Sequence, residues 1–179
     1  LVSGALIALT AVDKIGRLLK DAAPGDDEAW FDACVKVADG VRALAERYAA
    51  SSHRHSAAPA YLRACKYYQM GERFRTPKDE KALDVYRTSL ECFHRFVALT
   101  DVKIEIVEVP FEGGSLPGYF VQARNSASQR APSIVHFDGL DITKELLYMR
   151  GVPDLPKRGI SVLLVDGPGT GEAIRFRGH

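Results

Sequence analysis

Apolar residues recur at helical spacing through the first hundred positions. Trp30, Cys34, Val37, Val41, Leu44 and Tyr48 stand 4, 3, 4, 3 and 4 residues apart, one stripe on a helix. Asp26, Asp27 and Glu28 put negative charge at its start, where the helix dipole is positive. Pro24-Gly25 separates it from an apolar helix over 1–20. Ser51 to Ala58 reads as a polar connection, and Pro59 suits the first turn of a third helix. That helix runs from Ala60 to about Phe74, with Leu62, Cys65, Tyr68 and Met70 facing inward, and Thr76-Pro77 ends it. Leu83, Tyr86, Leu90, Phe93 and Val97 mark a fourth helix. Four amphipathic helices bury their stripes against each other or against a sheet, so residues 1–100 are expected to form a helical domain.

The period changes near residue 100. Val102, Ile104 and Ile106 alternate with Lys103 and Glu105, which is strand spacing. The phase then slips to Val107 and Val109, and a bulge near Ile106-Val107 is expected. Glu112 to Gly118 reads as a hairpin loop and Tyr119 to Ala123 as the returning strand. After a polar loop over Asn125–Ala131 comes a short apolar strand, Ser133 to Phe137. A helix follows from Ile142 to Pro156, then a second apolar strand, Gly159 to Val165. Strand, helix and strand at that length imply a parallel pair with a right-handed crossover. Near-continuous apolar strands imply a sheet covered on both faces. Residues 101–179 are therefore expected to begin an α/β core.

Charge adds an exclusion. Lys and Arg number 24 and Asp and Glu 23 in 179 residues, a formal charge of +1. A strongly basic nucleic-acid binder and an acidic tail are both excluded. Apolar residues at 46% and charged residues at 26% place the chain among globular proteins. Cys34, Cys65 and Cys92 are odd in number and widely spaced, so buried free thiols in a cytoplasmic protein are expected, not a disulfide framework or a zinc site. Leu1–Val12 is too short to span a bilayer and reads as a buried helix, with a trimmed signal peptide as the lesser alternative. Neither a nucleic-acid nor a membrane partner is expected.

Four segments are candidates for chemistry. Val165-Asp166-Gly167-Pro168-Gly169-Thr170-Gly171-Glu172 follows a strand and invites a dinucleotide reading. The third glycine of that fingerprint is replaced by Glu172, and Pro168 offers no amide hydrogen. Ser115 lies among glycines, but Pro117 stands where a nucleophile elbow needs glycine, and the loop joins two strands, so Ser115 is read as a turn residue. His53 and His55 lack a third ligand, so no metal is expected. His136-Phe137-Asp138-Gly139-Leu140-Asp141 ends a parallel strand, where open α/β sheets bind ligands. It reads either as a strand-to-helix loop with Asp141 capping the helix, or as a backbone oxyanion hole.

The run from Ser133 to Ala173 resembles the α/β-hydrolase fold. It is similar to the branch of 2,6-dihydroxypseudooxynicotine hydrolase, fungal polyketide-shortening hydrolases and fermentation–respiration switch proteins. The carriers are Gly139-Leu140-Asp141-Ile142-Thr143-Lys144-Glu145 after one strand and Asp166-Gly167-Pro168-Gly169-Thr170-Gly171-Glu172 after the next. "AYLRACKYYQMGERF" and "VPFEGGSLPGYF" resemble that branch's helical segment and first hairpin. Asp138 departs from the small residue, usually Gly, of the branch.

The resemblance implies a serine hydrolase with a helical cap, cutting an ester or a carbon–carbon bond beside a ketone, without a cofactor. It places backbone oxyanion donors at Gly139 and Leu140 and the Ser/Asp/His triad beyond residue 179. Asp141 and Tyr68 are candidates to face the small-molecule substrate. Trp30, Tyr61, Tyr67, Tyr68 and Tyr86 are left between lining a pocket and filling a core. Glu145 is expected to pair with a basic group. The fourth strand is expected between the second and third, leaving Ser133–Phe137 as an open edge for the remaining half of the hydrolase core. That half would come from a continuation of the chain or a second polypeptide, and residues 1–179 alone are expected to be inactive. A homodimer is a further expected partner. A non-catalytic binding or regulatory protein on the same scaffold is the alternative.

Overall fold

A computed structural model describes residues 13–124, 130–137 and 139–179. The apolar stretch 1–12, the 125–129 part of the polar loop and Asp138 lie outside the described residues. The chain forms two compact units, one ending at Thr100 and one from Asp101 to His179.

The first unit is helical. After a helical segment over 13–18 come α1 (Asp27–Ala50), α2 (Arg54–Phe74) and α3 (Glu80–Leu99). Helix α2 is the middle of the three and packs on both others. Asp26 caps α1 by accepting from the Ala29 amide at 2.9 Å, and Asp79 caps α3 by accepting from Ala82 at 2.9 Å. The Arg54 guanidinium closes the far end of α3, donating to the Leu99 carbonyl at 2.8 and 3.1 Å.

Two expectations shift here. The buried stripe of α1 is Phe31, Cys34, Ala38, Val41 and Ala45, so Trp30, Val37, Leu44 and Tyr48 lie half-buried at its margins. Small alanines, which a hydropathy stripe underweights, take buried positions as well, at Ala33, Ala38 and Ala45. Helix α2 also begins at Arg54 and not at Ala60, because the amides of Ser56 and Ala57 already bond the His53 carbonyl. Pro59 therefore sits inside the helix. The cysteines are free and buried, and burial pushes the Cys34 and Cys92 thiols up to about 12.

The second unit is a four-stranded sheet with β1 (Ile104–Phe111), β2 (Gly114–Val121), β3 (Ser133–His136) and β4 (Ser161–Val165), in the order β1-β2-β4-β3. The β1–β2 ladder is uninterrupted from Ile104↔Val121 to Phe111↔Gly114, so no bulge exists at Ile106-Val107. The apolar positions simply change face, leaving Ile106 54% exposed. The hairpin loop is only Glu112-Gly113, with φ of 43° and 79°, the two positive values of a type I′ turn. Ser115 is consequently a strand residue, opposite Pro110.

Strands β3 and β4 pair in parallel, Ser133↔Ser161 to His136↔Leu164. Their crossover is shorter in α-helix than the spacing suggested. It contains α4 (Lys144–Met149) and two 3₁₀ turns, Val152–Asp154 and Pro156–Arg158, each opening with a proline in its first turn. Strand β4 is buried, while Ile134 and Val135 of β3 are exposed at 42% and 59%. Coverage on both faces thus holds for β4 and fails for the edge strand β3.

At Gly71 helix α2 lies tight against α1. A Cβ there would lie 2.9 Å from the Cys34 Cβ and 3.3 Å from the Phe31 carbonyl oxygen. Alanine normally stabilises a helix interior by about 1 kcal/mol over glycine. Overpacking costs about 1–3 kcal/mol. G71A is therefore expected to lower the unfolding free energy in a denaturant titration, and a stabilised variant would contradict this helix contact.

Candidate active site

Parallel pairing brings the carboxyl ends of β3 and β4 side by side. Loop 137–143 leaves β3 and loop 166–172 leaves β4. Asp166 is the first residue past β4, and its amide donates to the Pro117 carbonyl at 3.1 Å. Its carboxylate collects three donors. Lys144 N donates to Oδ1 at 2.7 Å, and Lys144 Nζ and the Glu172 amide donate to Oδ2, both at 2.9 Å. The Gly-rich turn thus folds around the chain's own carboxylate. A Cβ at Gly171, where φ is +49°, would overlap that carboxylate, so this position requires glycine.

Lys144 is the hub of the cluster. Its ammonium lies 3.0 Å from Glu145, 2.9 Å from Asp166 and 2.9 Å from Glu172, and 5.2 Å from the centre of the Tyr119 ring. The Tyr119 hydroxyl donates to Glu145 at 2.7 Å. Lys144, Glu145 and Asp166 are each at most 1% exposed. At the rim, Arg177 bonds Glu172 at 3.1 Å and Glu108 at 2.8 Å, and Ser115 donates to Glu108 at 2.6 Å. The Ser115 hydrogen bond, with Arg177 adding, holds the Glu108 carboxyl below its usual range.

Burial pushes the Asp166 carboxyl up, Glu145 adds to that, and Lys144 and the Glu172 amide oppose it. For Lys144 burial is the largest single influence and acts downward. Glu145, Asp166 and Glu172 together outweigh it, and the ammonium is held above its ordinary value. Lys144 is therefore charged, and its charge is what keeps the buried carboxylates tolerable.

No family model matches the chain. It is 35% identical over 156 residues to Hydrolase LUC6 of Fusarium sp, covering 84% of this chain and 37% of that protein. It is 31% identical over 153 residues to Alpha/beta hydrolase xenA of Xenoacremonium sinensis, covering 84% of this chain and 36% of that one. A crystal structure of 2,6-dihydroxy-pseudo-oxynicotine hydrolase matches with a TM-score of 0.69 at 23% identity, over 90% of this chain and 47% of that chain. The chain belongs to the α/β-hydrolase superfamily. It spans less than two fifths of the length of the two curated relatives.

In this α/β-hydrolase segment, Gly139, Leu140 and Asp141 fall together in the loop after β3. All three are exposed, Leu140 at 80%. The Gly139 carbonyl accepts from Ile142 N at 3.2 Å, a turn that presents Leu140 and Asp141 at its outer corner. Asp141 does not cap the helix. Thr143 does, accepting from Leu146 N at 3.3 Å, because α4 starts two residues later than the sequence suggested. Glu145 pairs with Lys144 as expected.

Tyr68 lies in the helical unit and is 1% exposed. Its hydroxyl donates to Asp39 at 2.6 Å, and packing and this bond account for it. The other aromatic candidates divide. Tyr67 and Tyr86 are buried, Tyr61 lines one cavity beside Arg42, Glu91 and Arg95, and Trp30 lines another beside Leu19 and Phe74. Among the described residues no group of three or more His, Cys, Asp or Glu could hold a metal, and no helix is long and apolar enough to cross a membrane.

Sequence reasoning named Lys144 and Asp166 only as members of the two motifs, gave them no role, and passed over Tyr119. The available signal was charge complementarity between two motifs that end adjacent parallel strands. Lys144→Met in the full-length protein removes the shared cation, and unpairing a buried ion pair costs about 3–5 kcal/mol. The sign with pH follows from the shifts. A raised lysine contributes stability that is complete below its ordinary 10.5 and lost only as pH climbs through the higher folded value. A raised aspartate contributes below 3.8 and loses that contribution as pH rises through its folded value. The loss from Lys144→Met should therefore be large at pH 8 and shrink toward pH 4, as the Asp166 carboxyl, raised by its burial, takes up a proton. Equal losses at both pH values in urea unfolding would contradict the ionic account.

Proposed function

We propose that this chain supplies the oxyanion loop and helical cap domain of a serine hydrolase. The substrate is a small organic molecule with a reactive carbonyl, cleaved at an ester or at a carbon–carbon bond beside a ketone. The observation that carries the reading is the placement of Gly139-Leu140 in an exposed loop at the carboxyl end of a parallel strand, anchored by a buried ionic cluster. The hydrolase names of LUC6 and xenA, and the fold shared with 2,6-dihydroxy-pseudo-oxynicotine hydrolase, support it.

In this reading a serine Oγ outside residues 1–179 attacks the carbonyl carbon. A histidine takes the serine proton and an aspartate orients that histidine. The carbonyl oxygen becomes an oxyanion and is met by the Leu140 amide, with Gly139 leaving room for close approach. One such donor contributes about 100- to 1,000-fold in rate. The sheet is completed along β3 by polypeptide outside these residues. The exposure of Ile134, Val135 and Phe137, at 42%, 59% and 68%, supports that placement, since an apolar open edge is an aggregation site. The protein acts in the cytoplasm.

The test is to treat the full-length protein with a fluorophosphonate and map the modified residue. One labelled serine outside residues 1–179, with parallel loss of p-nitrophenyl ester hydrolysis, is expected. A labelled serine within residues 1–179, such as Ser115, would overturn the placement. A protein with neither labelling nor hydrolysis would instead be the non-catalytic binding or regulatory member.

A further inference from the structure

Two apolar side chains of the loop that carries Leu140 stand in solvent. Phe137 and Leu140 are 68% and 80% exposed, so apolar burial does not fix those side chains. At one end the loop is tied by the His136↔Leu164 pairing of β3 with β4. At the other end Lys144 enters the Asp166 carboxylate twice, through its backbone amide at 2.7 Å and its ammonium at 2.9 Å. The same carboxylate takes the Glu172 amide at 2.9 Å, and the Glu172 side chain returns to Lys144 at 2.9 Å. The loops after β3 and β4 are therefore locked to one buried anion and one buried cation.

We propose that Lys144 and Asp166 are positioning residues, a clamp that holds the β3 loop so that the Leu140 amide stays aimed at the developing oxyanion. The inference rests on the hydrolase reading and extends it to groups that touch no reacting atom. Its kinetic signature follows from what the clamp positions. The ground-state carbonyl asks little of a hydrogen-bond donor, whereas the oxyanion asks for one at a fixed station. Loosening the loop should therefore lower kcat and leave KM nearly unchanged. A misplacement of about 1 Å costs about 100-fold.

Two variants of the full-length protein test this. Asp166→Asn keeps the side-chain shape but turns an amide NH₂ toward donors. Glu172→Gln removes one partner of Lys144 at a rim that is 14% exposed, and keeps the clamp testable if Asp166→Asn does not fold. Kinetics on a p-nitrophenyl ester and amide hydrogen exchange of the 137–143 peptide are read together. The expected result is exchange about 10-fold faster in that peptide, unchanged exchange in the helical unit, kcat lower by about 10- to 100-fold and KM within about threefold, with smaller effects for Glu172→Gln. An active wild type whose loop exchange or kcat does not move in the folded variants overturns the clamp alone. A wild type inert to esters and to fluorophosphonate overturns the hydrolase reading, and with it the catalytic role of the clamp.

Discussion

The constraint that organises the sheet unit is the Asp166 carboxylate, buried at the carboxyl end of β4 and filled by three donors from two other segments. A buried carboxylate without partners would cost several kcal/mol. The chain must therefore bring Lys144 and the Glu172 amide to it, and both deliveries fix backbone. The first sets where α4 begins and how loop 137–143 ends. The second bends the Gly-rich segment, which is why Gly171 tolerates no side chain. The strand order gives the clamp its geometry, since β4 lies between β2 and β3.

Such a cluster is not a cheap source of stability. Lys144 faces three carboxylates, and Arg177 at the rim is shared between Glu172 and Glu108. Apolar residues of the same volume often stabilise as well or better. An ionic hub has a different use. Its hydrogen bonds are directional, so they select one register of the two loops, where apolar packing would accept several. That specificity is what a backbone oxyanion donor needs, because its rate contribution depends on aim more than on affinity.

Much of this was legible in the sequence, for identifiable reasons. Period-3.6 stripes located three helices, and the switch to period 2 at Val102 located the boundary after Thr100. The paired motifs after two apolar strands carried the resemblance to α/β-hydrolases. Other features were hidden because pattern does not encode partners. The slip from Ile106 to Val107 looked like a bulge, but an uninterrupted ladder with an exposed isoleucine produces the same string. Asp141 looked like the cap, yet Thr143 stood two residues on and won the helix start. Lys144 stood in the sequence only as one letter of a motif, with no role of its own, because its three carboxylates lie at sequence distances of 1, 22 and 28. Tyr68 looked like a pocket residue because a stripe does not show that Asp39 takes its hydroxyl.

The central claim is that the backbone at Leu140, steadied from beneath by the Asp166–Lys144 pair, receives the oxyanion. A crystal structure of the full-length protein carrying a covalent phosphonate on its nucleophilic serine measures this directly. The account predicts the phosphonyl oxygen within about 3 Å of the Leu140 amide nitrogen, with the loop still closed by Lys144 on Asp166. An oxygen bound by donors elsewhere, with the Leu140 amide turned away, would contradict it.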